Sequence, residues 1–84
     1  MYAVIWTPAA QKELAGLDKE LIRRIVDRVE QIKYSPYHFI DHLTDVDAWR
    51  LRVGDYRVIL DINEDEKSLI ILKIGHRKSI YKKI

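Results

Sequence analysis

The sequence predicts an α+β fold: an N-terminal strand, an antiparallel helical hairpin packed on a twisted, mainly antiparallel four-stranded sheet, and a short C-terminal helix. Three observations predict it. Apolar residues recur at three- and four-residue steps between Lys19 and Lys33, the period of a helix with one buried face. Two alternating runs flank Gly54-Asp55, a two-residue turn with Gly first that closes a β-hairpin. Ser68–Gly75 is almost unbroken in its apolar character, which suits an inner strand covered on both faces.

Each element has a local cause. Tyr2–Trp6 is rich in β-branched and aromatic residues and reads as a strand. Thr7 can cap a helix whose first position is Pro8. That helix is expected to reach Leu17, with Ala10, Leu14 and Leu17 on one face. Gly16 breaks it and Asp18 caps the next. Ile22, Ile25, Val29 and Ile32 form the apolar stripe of the second helix, and Ser35-Pro36 ends it. So short a join predicts an antiparallel pair. Tyr37–Asp47 reads as an irregular crossing segment with at most a helical turn. Strands are then expected at Ala48–Val53, Tyr56–Ile62 and Ser68–Gly75, and a basic tail follows.

Length and composition bound the function. The 84 residues form one domain, 1–84, with no linker or repeat. There is no Cys, which removes disulfides, thiol nucleophiles and Cys-ligated zinc, and fits a cytoplasmic protein. No apolar run is long enough to span a membrane and no signal peptide is evident. No Gly-rich phosphate loop or Ser-centred nucleophile motif is present. His38 and His42 stand four apart, but no third ligand accompanies them. No metal or other cofactor is therefore expected. Glu64, Asp65 and Glu66 read as a solvated turn. Net charge is only +2, yet Lys67–Ile84 carries six Lys or Arg and no carboxylate. A local basic surface of this kind attracts phosphates.

The hairpin sharpens that reading. A turn at Gly54-Asp55 sets Val53 opposite Tyr56, Leu51 opposite Val58 and Trp49 opposite Leu60, all on one apolar face. Arg52 then faces Arg57, and Arg50 faces Ile59, on the other. Two opposed arginines repel by up to about 1 kcal/mol, and neither can shed its proton. Such a pair suits a phosphate-bearing ligand. Asp55 or Asp61 neutralising an ordinary exposed surface is the competing explanation. His76, Arg77 and Tyr81 follow the last strand. RNA cleavage needs a base for the ribose 2′-OH, cations for the charged phosphate and an acid for the leaving oxygen. These residues can be matched to those needs. The competing readings are a partly exposed residue at a strand end for His76 and a packing residue with its hydroxyl at the surface for Tyr81. Lys78, Lys82 and Lys83 are candidate RNA contacts.

Three stretches resemble the RelE/ParE family of toxins from type II toxin–antitoxin systems. Tyr2–Leu14, with Trp6-Thr7-Pro8, resembles the family's opening. Trp49-Arg50-Leu51-Arg52-Val53-Gly54-Asp55-Tyr56-Arg57-Val58-Ile59 resembles its central hairpin. Ile74-Gly75-His76-Arg77-Lys78-Ser79-Ile80-Tyr81 resembles its C-terminal signature. Together they span nearly the whole chain in order. The resemblance implies a microbial-RNase-like fold and an mRNA interferase, one that enters the 30S A site of the ribosome and cuts messenger RNA without metal. It also implies a cognate antitoxin that wraps the domain. By this likeness the active residues are Arg50, Arg52, Arg57, Arg77 and Tyr81. Arg50 or Arg52 orients or activates the 2′-OH, Arg57 stabilises the phosphorane-like transition state, Arg77 assists the leaving group, and Tyr81 stacks on or positions a base. Some members have Lys at the first two positions, and with Arg at both here His76 is the substitute candidate for the base. The sequence departs from the pattern at two places. No Gly lies in His42–Asp47, and Leu60 stands where many relatives have Tyr. ParE-like members share the fold but poison DNA gyrase. A gyrase poison and an inactive antitoxin-binding module are thus the alternatives.

Overall fold

Thr7 links the first strand to the first helix in the computed structural model, which describes residues 1–83 and, for Lys83, the backbone alone. The Thr7 hydroxyl accepts the Ala10 N–H at 3.2 Å and donates to the Ile71 carbonyl at 2.7 Å. One side chain thus caps the helix and fastens its start to the sheet. Strand β1 (Ala3–Trp6) precedes it and helix α1 (Pro8–Ala15) follows. Helix α1 ends at Ala15 rather than Leu17 because the Gly16 N–H turns back to the Glu13 and Leu14 carbonyls. Leu17 still packs against the core. Asp18 accepts the Leu21 N–H at 2.9 Å and opens α2 (Lys19–Ile32). Ile25, Val29 and Ile32 are completely buried on its inner face.

A 3₁₀ turn at Pro36–His38 leads into β2 (Ile40–His42), then β3 (Trp49–Val53), β4 (Tyr56–Asn63) and β5 (Ser68–His76), and a second 3₁₀ turn at Ile80–Lys83 ends the described chain. The sheet has five strands in the order β1-β5-β4-β3-β2, not the four expected. The addition is β2, a three-residue edge strand inside the segment expected to be irregular. It is held by antiparallel pairing to β3. The β1–β5 pair is parallel and the other pairs are antiparallel. Strand β5 is indeed an inner strand.

The helices cover one face. There Ala10, Ile25, Val29 and Ile32 meet Leu51, Val58, Leu60, Leu69 and Ile71, with Trp6 and Trp49 at the margin. The opposite face has a smaller core of its own: Ala48, Ile59 and Ile80, with Leu43 and Val46 packed against them. Strand β5 carries one extra residue, since Leu60 pairs with Ile71 but Ile59 pairs with Lys73. This bulge at Leu72 changes which side every later β5 residue faces. Beyond Trp6, β5 has no β1 partner, and the Glu13 carboxylate of α1 accepts the Ile74 N–H at 3.0 Å instead.

The β4–β5 turn is not merely solvated. The Glu64 carboxylate accepts the hydroxyls of Tyr2 at 2.7 Å and of Tyr37, and the Lys67 ammonium at 3.1 Å. It ties the residue before β1, the first 3₁₀ turn and the β4–β5 turn together. The Tyr37 bond first, then those from Tyr2 and Lys67, hold Glu64 down to about 2, and the Tyr37 hydroxyl is pushed up to about 12, chiefly by the same bond. A carboxylate depressed by folding stabilises the fold above its ordinary range and loses that contribution as pH falls through its native value. Lowering pH from 5 to 2 should therefore reduce the melting temperature more in the wild type than in Glu64→Gln. Equal losses in the two melting curves would mean that the clasp adds no stability.

Candidate functional site on the open sheet face

The register of β3 and β4 is the one the turn predicts: Arg52 opposite Arg57, Arg50 opposite Ile59, Val53 opposite Tyr56. Gly54 has φ +57°, and the Arg24 guanidinium lies where a Cβ on Gly54 would be, 2.9 Å from Nη2. Arg50, Arg52 and Arg57 share the face away from the helices. The repulsion between opposed arginines is relieved locally, because they turn to different acceptors. Arg57 donates from Nη1 to the Gly54 and Tyr56 carbonyls at 2.9 and 2.8 Å. Arg52 Nε lies 3.8 Å from Asp41 Oδ2.

Asp41 was not among the residues singled out in the sequence. It stands on β2 opposite Arg50, and Arg50 Nη2 donates to its Oδ2 at 3.3 Å. Only a strand at 40–42 brings this carboxylate to the arginines, so its role was invisible without β2. Arg50 also donates from Nη1 to the Tyr81 hydroxyl at 3.0 Å. Its pKa is raised by that bond above all, with Asp41 adding to the effect and burial opposing it. The Arg50 Nε is buried and has no partner among the described residues. Asp41 remains more than half exposed, as does Arg52, so the pairing does not seal the face.

The tail reaches this face through a close approach. Gly75 pairs with Arg57 on the arginine side. A Cβ there would sit 2.9 Å from Ile80 Cδ1. The missing side chain lets Ile80 settle on the sheet, almost completely buried beside Ile59 and Ala48. Tyr81, the next residue, is thereby held at Arg50. A cleft of about 330 Å³ opens between this turn and the loop after β2, lined by Leu43, Thr44, Asp45, Val46, Arg50 and Tyr81.

Arg77 stands at the hairpin tip, with its N–H donating to the Asp55 carbonyl at 2.8 Å and its Nε 3.7 Å from the Asp55 carboxylate. Asp55, one of the two acids that could neutralise the arginines, thus pairs with the tail and not the hairpin. Lys78 and Lys82 are exposed. The Lys83 side chain lies outside the described structure. His76 does not join the group. It pairs with Tyr56 on the helix side, edge-on to that ring at 5.5 Å, and its Nδ1 accepts the Lys78 N–H at 3.1 Å. The bulge is the reason. Without the extra residue, Ile74 would face Arg57 and His76 would stand on the arginine side. His38 and His42 share no helix face, since His42 lies in β2 with its Nε2 3.2 Å from Asp47.

Two helices on one side of a mixed five-stranded sheet are also the fold of solved RelE toxins. Residues 4–81 match the family model described as the ParE toxin of type II toxin-antitoxin system, parDE. A Methanocaldococcus jannaschii protein with the provisional name toxin RelE4 is 27% identical over 89 residues, covering 99% of this chain and 94% of that protein. The RelE–RelB complex from Pyrococcus horikoshii is similar at 32% identity and TM-score 0.74, over 90% of this chain and 94% of that one. The RelBE2 toxin–antitoxin complex from Mycobacterium tuberculosis shares the fold at TM-score 0.85 and 23% identity, over 90% and 98% of the two chains. The chain belongs to the RelE/ParE family of toxins. None of its described helices is long and apolar enough to cross a membrane.

Replacing Ile80 by Ala should cost about 2 kcal/mol or more in urea unfolding, the usual scale for truncating a buried isoleucine. It should also release Tyr81 from Arg50, read as averaging of the Tyr81 ring signals in NMR spectra. A variant with both stability and Tyr81 signals unchanged would show that Ile80 does not anchor the turn.

Proposed function

We propose that this toxin is an endoribonuclease that enters the A site of the ribosome and cuts the messenger RNA there, with its own side chains supplying the base and the charge stabilisation, and that a cognate antitoxin restrains it. One observation carries the reading: three arginines on one open sheet face, with a tyrosine hydroxyl fixed at the first of them and a fourth arginine at the hairpin tip. Guanidinium groups match phosphate oxygens in shape and charge. Placed before the reaction, they stabilise the negative charge that develops on the phosphorus-bound oxygens.

In this reading the ribose 2′-oxygen attacks the adjacent phosphorus, the bond to the 5′-oxygen breaks, and a cyclic 2′,3′-phosphate remains. The 2′-OH proton must go to a base, and His76 faces the wrong side of the sheet. Asp41 takes its place as the candidate: a half-exposed carboxylate within 3.3–3.8 Å of two guanidinium groups on the substrate side. Arg50 and Arg52 orient Asp41 and the ribose. Among the described residues, Arg57 bonds only backbone carbonyls, which leaves it suited to the phosphate. Arg77 keeps its proton and steadies the charge on the departing 5′-oxygen, which takes its own proton from water, and Tyr81 offers a ring for stacking. Lys78 and Lys82 would hold flanking phosphates.

A second reading is favoured by the description of the matching family model, which is that of ParE. It makes the protein a DNA gyrase poison that cuts no RNA. Induction in cells, followed by mapping of messenger RNA ends, separates the readings. Codon-phased cuts that require translating ribosomes support the nuclease. Intact transcripts with broken DNA and an SOS response support the gyrase poison. Growth without arrest supports an inactive antitoxin-binding module. Arg57→Ala should reduce cleavage by about 100-fold or more, the scale for removing one transition-state donor. It should change stability by no more than about 1 kcal/mol. Cleavage undiminished in that variant would remove Arg57 from the mechanism.

A further inference from the structure

The loop between β2 and β3 stands beside the arginines but has no part in the steps above. Its backbone is closed by two hydrogen bonds, from the Leu43 N–H to the Ala48 carbonyl and from the Ala48 N–H to the Val46 carbonyl, both 2.9 Å. Leu43 and Val46 turn inward and pack with Ile80 in the second core. Thr44 and Asp45 are left exposed at the loop's end. The same four residues, with Arg50 and Tyr81, line the 330 Å³ cleft. That volume lies near the lower end of small-molecule clefts, about 300–1,000 Å³. Its walls are chemically mixed: two aliphatic side chains, an aromatic ring 42% exposed, a hydroxyl, a carboxylate and a guanidinium.

The carboxylate is the informative member. Three other aspartates around this face are engaged: Asp41 with Arg50 and Arg52, Asp47 with His42, and Asp55 with Arg77. Asp45 makes no ion pair or side-chain hydrogen bond among the described residues. A carboxylate beside a surface that binds phosphates repels them, unless the part of the ligand placed next to it presents donors. In a single-stranded RNA that part is a nucleobase, which can stack on an aromatic ring and be read on its Watson–Crick edge.

An ionised carboxylate is purely an acceptor, with two oxygens. Guanine presents two adjacent donors on its Watson–Crick edge, N1–H and the 2-amino group. Adenine and cytosine place one amino donor next to a ring acceptor, and uracil places one N–H between two carbonyls. Only guanine matches both oxygens without opposing a lone pair to one of them. We infer that the cleft is a nucleobase subsite in which Asp45 selects guanine by a bidentate hydrogen bond, while Leu43, Val46 and the Tyr81 ring hold the base. Thr44, which lines the same cleft, supplies a hydroxyl donor for the guanine O6. This rests on the nuclease reading for the presence of RNA, and it assigns to the Asp45 loop the choice of where that RNA is cut.

Two measurements test it. The first needs no ribosome and no cleavage: titration of the ¹⁵N-labelled protein with guanosine, adenosine, cytidine and uridine 3′-monophosphates, followed by amide shifts. The guanosine nucleotide should move the signals of residues 43–48 and 80–81 and bind about tenfold or more tightly than the others, the discrimination expected of a bidentate base contact. Asp45→Asn, which replaces one acceptor by a donor, should reduce that ratio to about one while signals from the helices stay in place. The second is the map of messenger RNA ends from cells, in which guanine should be over-represented at one fixed position next to the cut with the wild type and not with Asp45→Asn. Equal binding of all four nucleotides, or a guanine preference that survives Asp45→Asn, overturns the subsite. Guanine-selective binding without any RNA cleavage upholds the subsite and overturns the nuclease reading.

Discussion

A two-residue turn confronts one arginine with another, and much of the molecule answers that confrontation. Strand pairing through Gly54-Asp55 leaves no freedom in which residues meet, because one step of slippage would carry Leu51, Val58 and Leu60 out of the core. Arg52 and Arg57 are therefore neighbours as a condition of burying the hairpin's other side. The charge is managed by nearby acceptors: backbone carbonyls for Arg57, and a carboxylate borrowed from an edge strand for Arg52 and Arg50. These acceptors compensate the guanidinium groups but leave them reachable. An exposed ion pair contributes little stability, about 0–1 kcal/mol, so these pairings steady the guanidinium groups without locking them.

The second organising contact is apolar and lies on the polar side. Ile59 projects between arginine neighbours and would be exposed if the chain ended at β5. Instead Ile80 covers it, seated over Gly75, where no side chain intervenes. Burial of two isoleucines thereby fixes the position of a tyrosine and one wall of a cleft. The same core fastens Leu43 and Val46, so the tail and the β2–β3 loop are set relative to each other by one small cluster.

The sequence revealed those features that local rules determine. Caps at Thr7 and Asp18, the stripe on α2, and the hairpin register each follow from residues close in the chain, and so did the shared face of the three arginines. The features it hid depend on partners distant in sequence. Ile40–His42 has neither the length nor the alternation of a strand and becomes one only against β3; Asp41 was hidden with it. The bulge at Leu72 is set by the junction of β4, β5 and α1, and nothing in Leu69–Gly75 marks the extra residue. That one residue moved His76 to the far side of the sheet. Glu64 looked like an ordinary loop acid because its two tyrosine partners, Tyr2 and Tyr37, stand 62 and 27 residues before it in the sequence.

The arrangement of strands also orders events during synthesis. Strand β1 is made first, yet its partner is β5, so Ala3 waits for Ser68. Contacts spanning this much chain are slow to form and costly in loop entropy. The sheet lacks an inner strand until β5 has been made, and the tail that closes over the arginines follows later still. A newborn chain thus cannot complete the arginine face until β5 and the turn that carries Ile80 and Tyr81 have both been made, so that surface is among the last parts of the fold to take shape.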